Sequence, residues 1–196
     1  CKLNFIEHIN PIVASTFKNL GFIIRNCKNF SNIDCLKSLY FAYVRAKLEY
    51  ASIIWNPLYS THKLRLEEIQ RRFLKYLAFI SDGIYPERGF DHQVLLDRFQ
   101  FNSLENRRII VSIKHLYDLL HNRVDCPYML AKLNLLVPRI NARNSLTLYC
   151  DKARTKANIK SPIYVMCSNA NNYCNSVNLY FDSFQRVRSM TQNSLS

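Results

Sequence analysis

The sequence predicts an all-α fold, a bundle of about six helices followed by a basic, loop-rich C-terminal tail. Apolar residues recur at spacings of three and four through most of the first 135 positions. Hydrophobic residues make up 48% of the 196-residue chain, enough for a sizeable core. Only Lys2–Phe5 reads as a strand remnant.

Residues 10–28 place Ile12, Val13, Phe17, Leu20, Ile23 and Ile24 on one helical face, with Pro11 in the first turn, where its missing N–H costs nothing. Asn32 or Asp34 then caps a long helix to Trp55. Its stripe runs Leu36, Leu39, Tyr40, Tyr43, Val44, Leu48, Ala51, Ile54, and Pro57 helps to end it. A third helix, Thr61–Phe79, buries Leu66, Ile69, Phe73, Leu74 and Leu77 and stops before the turn Ser81-Asp82-Gly83. Asp91–Phe101 forms a short amphipathic helix. Ser103 caps a long one to about Asn122, with Leu104, Ile109, Ile113, Leu116, Tyr117 and Leu120 inward. Cys126-Pro127 opens a sixth, to about Leu135. Beyond it Asn accumulates, and Pro138 and Pro162 interrupt regular structure, so 136–196 reads as basic loops with one terminal helix within Val177–Met190.

Composition excludes several functions. The three glycines, Gly21, Gly83 and Gly89, fit neither a Walker loop nor a dinucleotide fingerprint. The longest apolar runs are far shorter than a bilayer span. Seven cysteines, an odd number without a Cys-x-x-Cys pair, are expected to be free thiols in a reducing intracellular compartment, cytoplasm and nucleus. The first residue is Cys1 rather than Met, as expected of a piece of a longer protein. No His-Glu-x-x-His pair, Gly-x-Ser-x-Gly turn or Tyr-x-Asp-Asp motif occurs. His115 and His121, six apart, point to different helix faces. Cys167 and Cys174 lack further ligands at finger spacing, so no metal or cofactor is expected to be held here.

Charge is the remaining signal. The formal net charge is +13, divided as +4 over residues 1–56, +2 over 57–122 and +7 over 123–196. Clustered cations gain nucleic-acid affinity by releasing counterions, and Lys132–Lys160 is rich in them. Within it Arg139, Arg143, Arg154 and Lys156 are candidate phosphate contacts, against the plainer alternative of a solvated basic loop. On the third helix, Glu67 precedes Arg71 by four and Glu68 precedes Arg72 by four, the favourable order for ion pairs. Lys63, Arg65 and Lys75 have no such acid and are the better candidates for tracking a phosphate backbone. Tyr40, Phe41, Tyr43, Tyr50 and Trp55 could stack on bases, but their helical stripe favours core packing.

Leu39–Pro57 (LYFAYVRAKLEYASIIWNP) followed by Leu66–Leu77 (LEEIQRRFLKYL) resembles the region after the polymerase domain in arthropod non-LTR retrotransposons of the jockey-like type. Lys2–Ile9 resembles the segment leaving the palm, and Ser103–Leu130 with Val137–Ser145 resembles the C-terminal continuation. The match covers residues 1–145 well and the remainder weakly, through Ser161-Pro162-Ile163, Asn171-Asn172 and Phe181–Arg186. The resemblance implies a parent RNA-directed DNA polymerase with an N-terminal endonuclease, whose palm carries the Mg²⁺ carboxylates. This chain would supply residues 1–9 as the palm exit, 10–135 as a helical thumb and 136–196 as the C-terminal segment. Its partners would be RNA, an RNA–DNA duplex and the parent's palm and fingers, with no membrane involved. No zinc knuckle is present to add an RNA contact. The rival expectations are a helical protein-interaction module with an acidic partner, and a decayed element copy without function.

Overall fold

Pro11 sits inside the first helix rather than at its start. In a computed structural model, which describes residues 5–57, 59–136, 148–150, 154–159, 161–174 and 177–195, helix α1 spans Ile6–Asn26. Phe5 stands at its N-cap, its carbonyl accepting from His8 and Ile9 N–H at 3.0 and 2.8 Å. The expected strand residues Lys2–Asn4 lie outside the described residues. The all-α class holds: helices dominate, and the strand content among the described residues is one short antiparallel ladder. No described helix is long and apolar enough to cross a membrane.

Asn32 caps α2 (Ile33–Tyr40), its Oδ1 accepting from Asp34 and Cys35 N–H at 2.9 and 3.2 Å. The helix expected to continue to Trp55 does not continue regularly. A π turn occupies Phe41–Arg45, α3 follows at Ala46–Glu49, and α4 (Ser52–Trp55) comes after a kink at Tyr50 and Ala51. The cause of the π turn lies in the buried stripe. Leu36, Tyr40, Val44 and Leu48 are all buried at a spacing of four. In a regular α-helix that spacing drifts by about 40° per step, and the wider π turn takes up part of the drift. The kink is held by Trp55, whose buried indole N–H donates to the Tyr50 carbonyl at 2.7 Å. Tyr43, Ala51 and Ile54, expected inward, are therefore exposed, as is Tyr50.

Helix α5 (Ser60–Asp82) follows, ended by Gly83 at φ 72°, a left-handed cap that glycine adopts without Cβ strain. It buries the five expected residues and also Gln70, Tyr76 and Ala78. Asp91 caps α6 (His92–Phe99) through Gln93 N–H at 2.9 Å, and α7 runs Leu104–Leu120. Around α5 the aromatic core is tight, with Tyr40 stacked on Phe73 at 4.1 Å and Phe101 against both. One polar network crosses it. Tyr40 OH donates to Gln70 Oε1 (3.2 Å), and Gln70 Nε2 donates to the Asn102 carbonyl (3.0 Å). Glu67 reaches His92 Nε2 at 3.1 Å and accepts from Leu104 N–H at 3.0 Å. A carboxylate so placed satisfies an orphan donor of α7 and faces the positive end of its dipole.

The chain divides inside α7: one unit ends at Glu105 and the next begins at Asn106. The sequence places its change of composition later, near residue 136. In the second unit the expected sixth helix is a single turn, α8 (Pro127–Leu130). Asn134–Leu135 (β1) then pairs with Leu148–Tyr149 (β2), an extended pairing whose partner lies outside any local window. Pro162 opens a helix instead of interrupting one. Ser161 caps α10 (Pro162–Tyr173), after a short α9 (Lys156–Ile159), and α11 spans Phe184–Leu195. Val177 and Leu179, expected in the last helix, are buried ahead of it. Asn171, also buried, locks β2 to α10 by accepting from Leu148 N–H (3.2 Å) and donating to Leu148 O (2.8 Å).

Replacing Glu67 by Ala is expected to lower unfolding free energy by about 2 kcal/mol, since its contacts with Leu104 N–H, His92 Nε2 and Gln70 Nε2 are lost. Urea denaturation measures it, and a loss within error would show the network to be dispensable. Ala51→Gly should raise the melting temperature modestly. Ala51 holds φ 51°, a strain of about 1–2 kcal/mol that exceeds the entropy glycine adds to the unfolded chain.

Candidate nucleic-acid interface

Cations form a phosphate-binding surface only where carboxylates leave their charge uncompensated, so each predicted residue is judged by its neighbours. Lys63 does not escape pairing. Its Nζ lies 2.5 Å from Glu105, an acid 42 residues away that local spacing does not reveal. Lys75 Nζ donates to the Glu87 carbonyl at 2.9 Å, pinning the loop after α5. Arg65 is exposed, and its Nη1 donates to the neutral Asn10 Oδ1 at 2.8 Å. Its charge therefore stays available. Arg154 is exposed, Lys156 is the first residue of α9, and Arg139 and Arg143 lie outside the described residues.

The expected Glu67–Arg71 pair is replaced by a shared one. Glu67 turns inward, so Glu68 serves both Arg71 at 3.7 Å and Arg72 at 3.2 Å. One carboxylate between two guanidiniums leaves that turn of α5 with a net positive charge. Arg72 also lies over the Phe17 ring, 4.8 Å from its centroid. Arg65 and Arg72 stand seven residues apart, about 10 Å along the helix. Between them runs a groove of about 510 Å³, walled on one side by Asn10, Val13, Ala14 and Phe17 of α1 and on the other by Leu64, Glu68 and the two arginines. This is a basic rim over an apolar floor, suited to a backbone that presents phosphates and sugars in turn.

Sequence reasoning missed the cations of α1. Lys18 and Arg25, with Lys28 in the turn just after the helix, are exposed, and none has a hydrogen bond or ion pair among the described residues. Their signal was present, because residues 8–34 contain no acid before Asp34. Gly21, costly inside a helix, has a use here: a Cβ on it would stand 3.2 Å from Arg25 Nη1, which lies across the gap.

The second unit contains a different cavity, about 460 Å³, lined by Lys132, Tyr149, Cys150, Tyr164 and Cys167 among others. Burial, and then the neighbouring Cys150, push the Cys167 thiol up to about 12. Cys174 is raised by burial and faces Thr191 Oγ1 at 3.6 Å, whereas Cys167 faces Cys150. Among the described residues no group of three or more His, Cys, Asp or Glu is placed to hold a metal. Comparison with protein-family models, curated proteins and solved structures finds no match to this chain.

The buried thiols make two measurable statements. At pH 8 an alkylating reagent should reach Cys35 and Cys126 before Cys27, Cys167 and Cys174, read by peptide mass. Cys167 and Cys174 keep their protons in the fold to higher pH than in the unfolded chain. Their contribution to stability is then complete below about pH 8.5 and is lost as pH rises towards the folded values. Urea midpoints for the second unit should fall from pH 8 to pH 10, and a flat profile would contradict the raised thiols.

Proposed function

We propose that this chain is the thumb-like and C-terminal module of a non-LTR retrotransposon reverse transcriptase. It holds the sugar–phosphate backbone of an RNA–DNA template–primer duplex. Chemistry in that reading belongs to the palm of the parent polymerase, with its Mg²⁺ carboxylates, and this chain contributes grip and no catalytic residue. The observation that carries the reading is positive charge on α5 beside the groove: Arg65, and Arg71 with Arg72, which share the single carboxylate of Glu68. The resemblance over Leu39–Pro57 and Leu66–Leu77 supports it, since those strings form the π turn with its flanking helices and the buried face of α5. Arg154 and Lys156, with Arg139 and Arg143, extend the proposed contacts.

Exposed Ile54, Leu64 and Ile84 favour a second reading, a surface for a protein partner such as the palm itself. The two readings separate on salt. Binding to an RNA–DNA hybrid should be indifferent to base sequence and should weaken steeply between about 50 and 200 mM salt. Arg65→Ala should weaken it several-fold and reduce the slope of log K against log salt by about 1. Lys63→Ala should do less, because Glu105 already holds that charge. Fluorescence anisotropy with two scrambled hybrids measures all three. An unchanged slope for Arg65→Ala would remove the α5 rim from the interface, and absence of hybrid binding at low salt would favour the protein partner.

A further inference from the structure

Of the exposed aromatic side chains of the first unit, Tyr50 (80% exposed), Phe22 (62%) and Tyr43 (58%) are the most open to solvent. Their placement follows from three contacts between α1 and residues 41–55. The His8 and Trp55 rings meet edge-on at 5.6 Å, Lys47 Nζ donates to Ser15 Oγ at 3.0 Å, and Asn19 Nδ2 donates to the Tyr43 carbonyl at 2.7 Å. Rising numbers on α1 meet falling numbers on the other segment, so the two run antiparallel. Along their seam the sequence Tyr50, Lys47, Tyr43 lies beside α1, whose outer face carries Lys18, Phe22 and Arg25 at positions i, i+4 and i+7.

Charge on this seam is almost wholly positive. Lys18 and Arg25 have no carboxylate partner among the described residues, and Lys47 bonds to a neutral hydroxyl. The acids on these segments are Glu7, near the start of α1, and Glu49, which Arg45 already engages at 3.9 Å. A protein interface would have to desolvate Lys18 and Lys47, and lysine is depleted from interface cores. Aromatic faces alternating with free cations instead match a strand that offers bases and phosphates in turn. A duplex keeps its base faces inside the stack, whereas a single strand leaves them open to such rings.

We propose that the seam between α1 and residues 41–50 binds single-stranded nucleic acid. Its bases stack on Tyr50, Tyr43 and Phe22, and Lys18, Arg25 and Lys47 hold its phosphates. The site lies on the flank of α1 away from the groove bearing Arg65. It deepens the reverse-transcriptase reading by assigning unpaired template to this surface, but it can be tested separately.

The test uses the full chain with three labelled probes: a blunt RNA–DNA hybrid, the same hybrid with a single-stranded extension of about eight nucleotides, and the extension strand alone. The extension should tighten hybrid binding, and the free strand should bind by itself. Tyr43→Ala with Tyr50→Ala should weaken binding of the free strand about tenfold or more and leave the blunt hybrid unchanged, while Tyr43→Phe with Tyr50→Phe retains it. Both variants are checked for wild-type helicity by circular dichroism, which their exposure predicts. Equal affinity of the alanine variant and wild type for the free strand would overturn the proposal. So would equal weakening on all probes, and so would equal binding of blunt and extended hybrids. Binding of the free strand without any binding of the blunt hybrid would sustain the seam and sink the duplex grip.

Discussion

Glu67 and Gln70, nearly one turn apart on α5, set the geometry on which the first unit depends. An amide inside a helical core and a half-buried carboxylate beside it must find partners, because an unsatisfied buried polar group costs about 1–3 kcal/mol. They find them on three other segments: Tyr40 at the end of α2, His92 on α6, and Asn102 and Leu104 at the entry to α7. Apolar packing tolerates sliding, whereas these bonds do not. The Tyr40–Phe73–Phe101 cluster is therefore held at one registry, and α7 begins where the Glu67 carboxylate meets its first N–H.

The position of Tyr40 also decides what faces outward. With Tyr40 fixed by Gln70 and Phe73, the buried series Leu36, Tyr40, Val44, Leu48 needs a turn wider than an α-helix provides, and the π turn supplies it. Tyr43 and Lys47 are then held on the solvent side, and the kink at Ala51 places Tyr50 there too. Trp55 stabilises that kink through the Tyr50 carbonyl, so a buried indole supports an exposed phenol ring. Core constraint and surface chemistry are linked through a single irregular stretch of backbone.

Positive charge is similarly shaped by packing. Because Glu67 is drawn inward, Glu68 is left with both Arg71 and Arg72, and α5 gains an uncompensated charge at the groove. Because α7 begins beside α5, Glu105 reaches Lys63 and removes it from the available cations. The net charge of the chain fixes only the sign of its surface; the pairing decides which cations keep their charge uncompensated.

The sequence by itself determined the all-α class, a cap at Asn32 or Asp34, the buried face of α5 and the Gly83 turn after it, because each depends on spacing or chemistry within a few residues. Pro162, expected to interrupt regular structure, instead stands at the first position of α10 behind the Ser161 cap, a local signal that the run of Asn and Pro around it obscured. Tertiary structure alone decided the π turn, the exposure of Tyr43 and Tyr50, the β1–β2 ladder and the fates of Glu67 and Lys63. Each of these involves groups far apart along the chain: Tyr40 with Gln70, Asn134 with Tyr149, Lys63 with Glu105. Helical periodicity reports which face is apolar on average. It carries no information about which distant donor or acceptor a buried polar group will meet, and that meeting fixes the phase of the helix and the surface it presents.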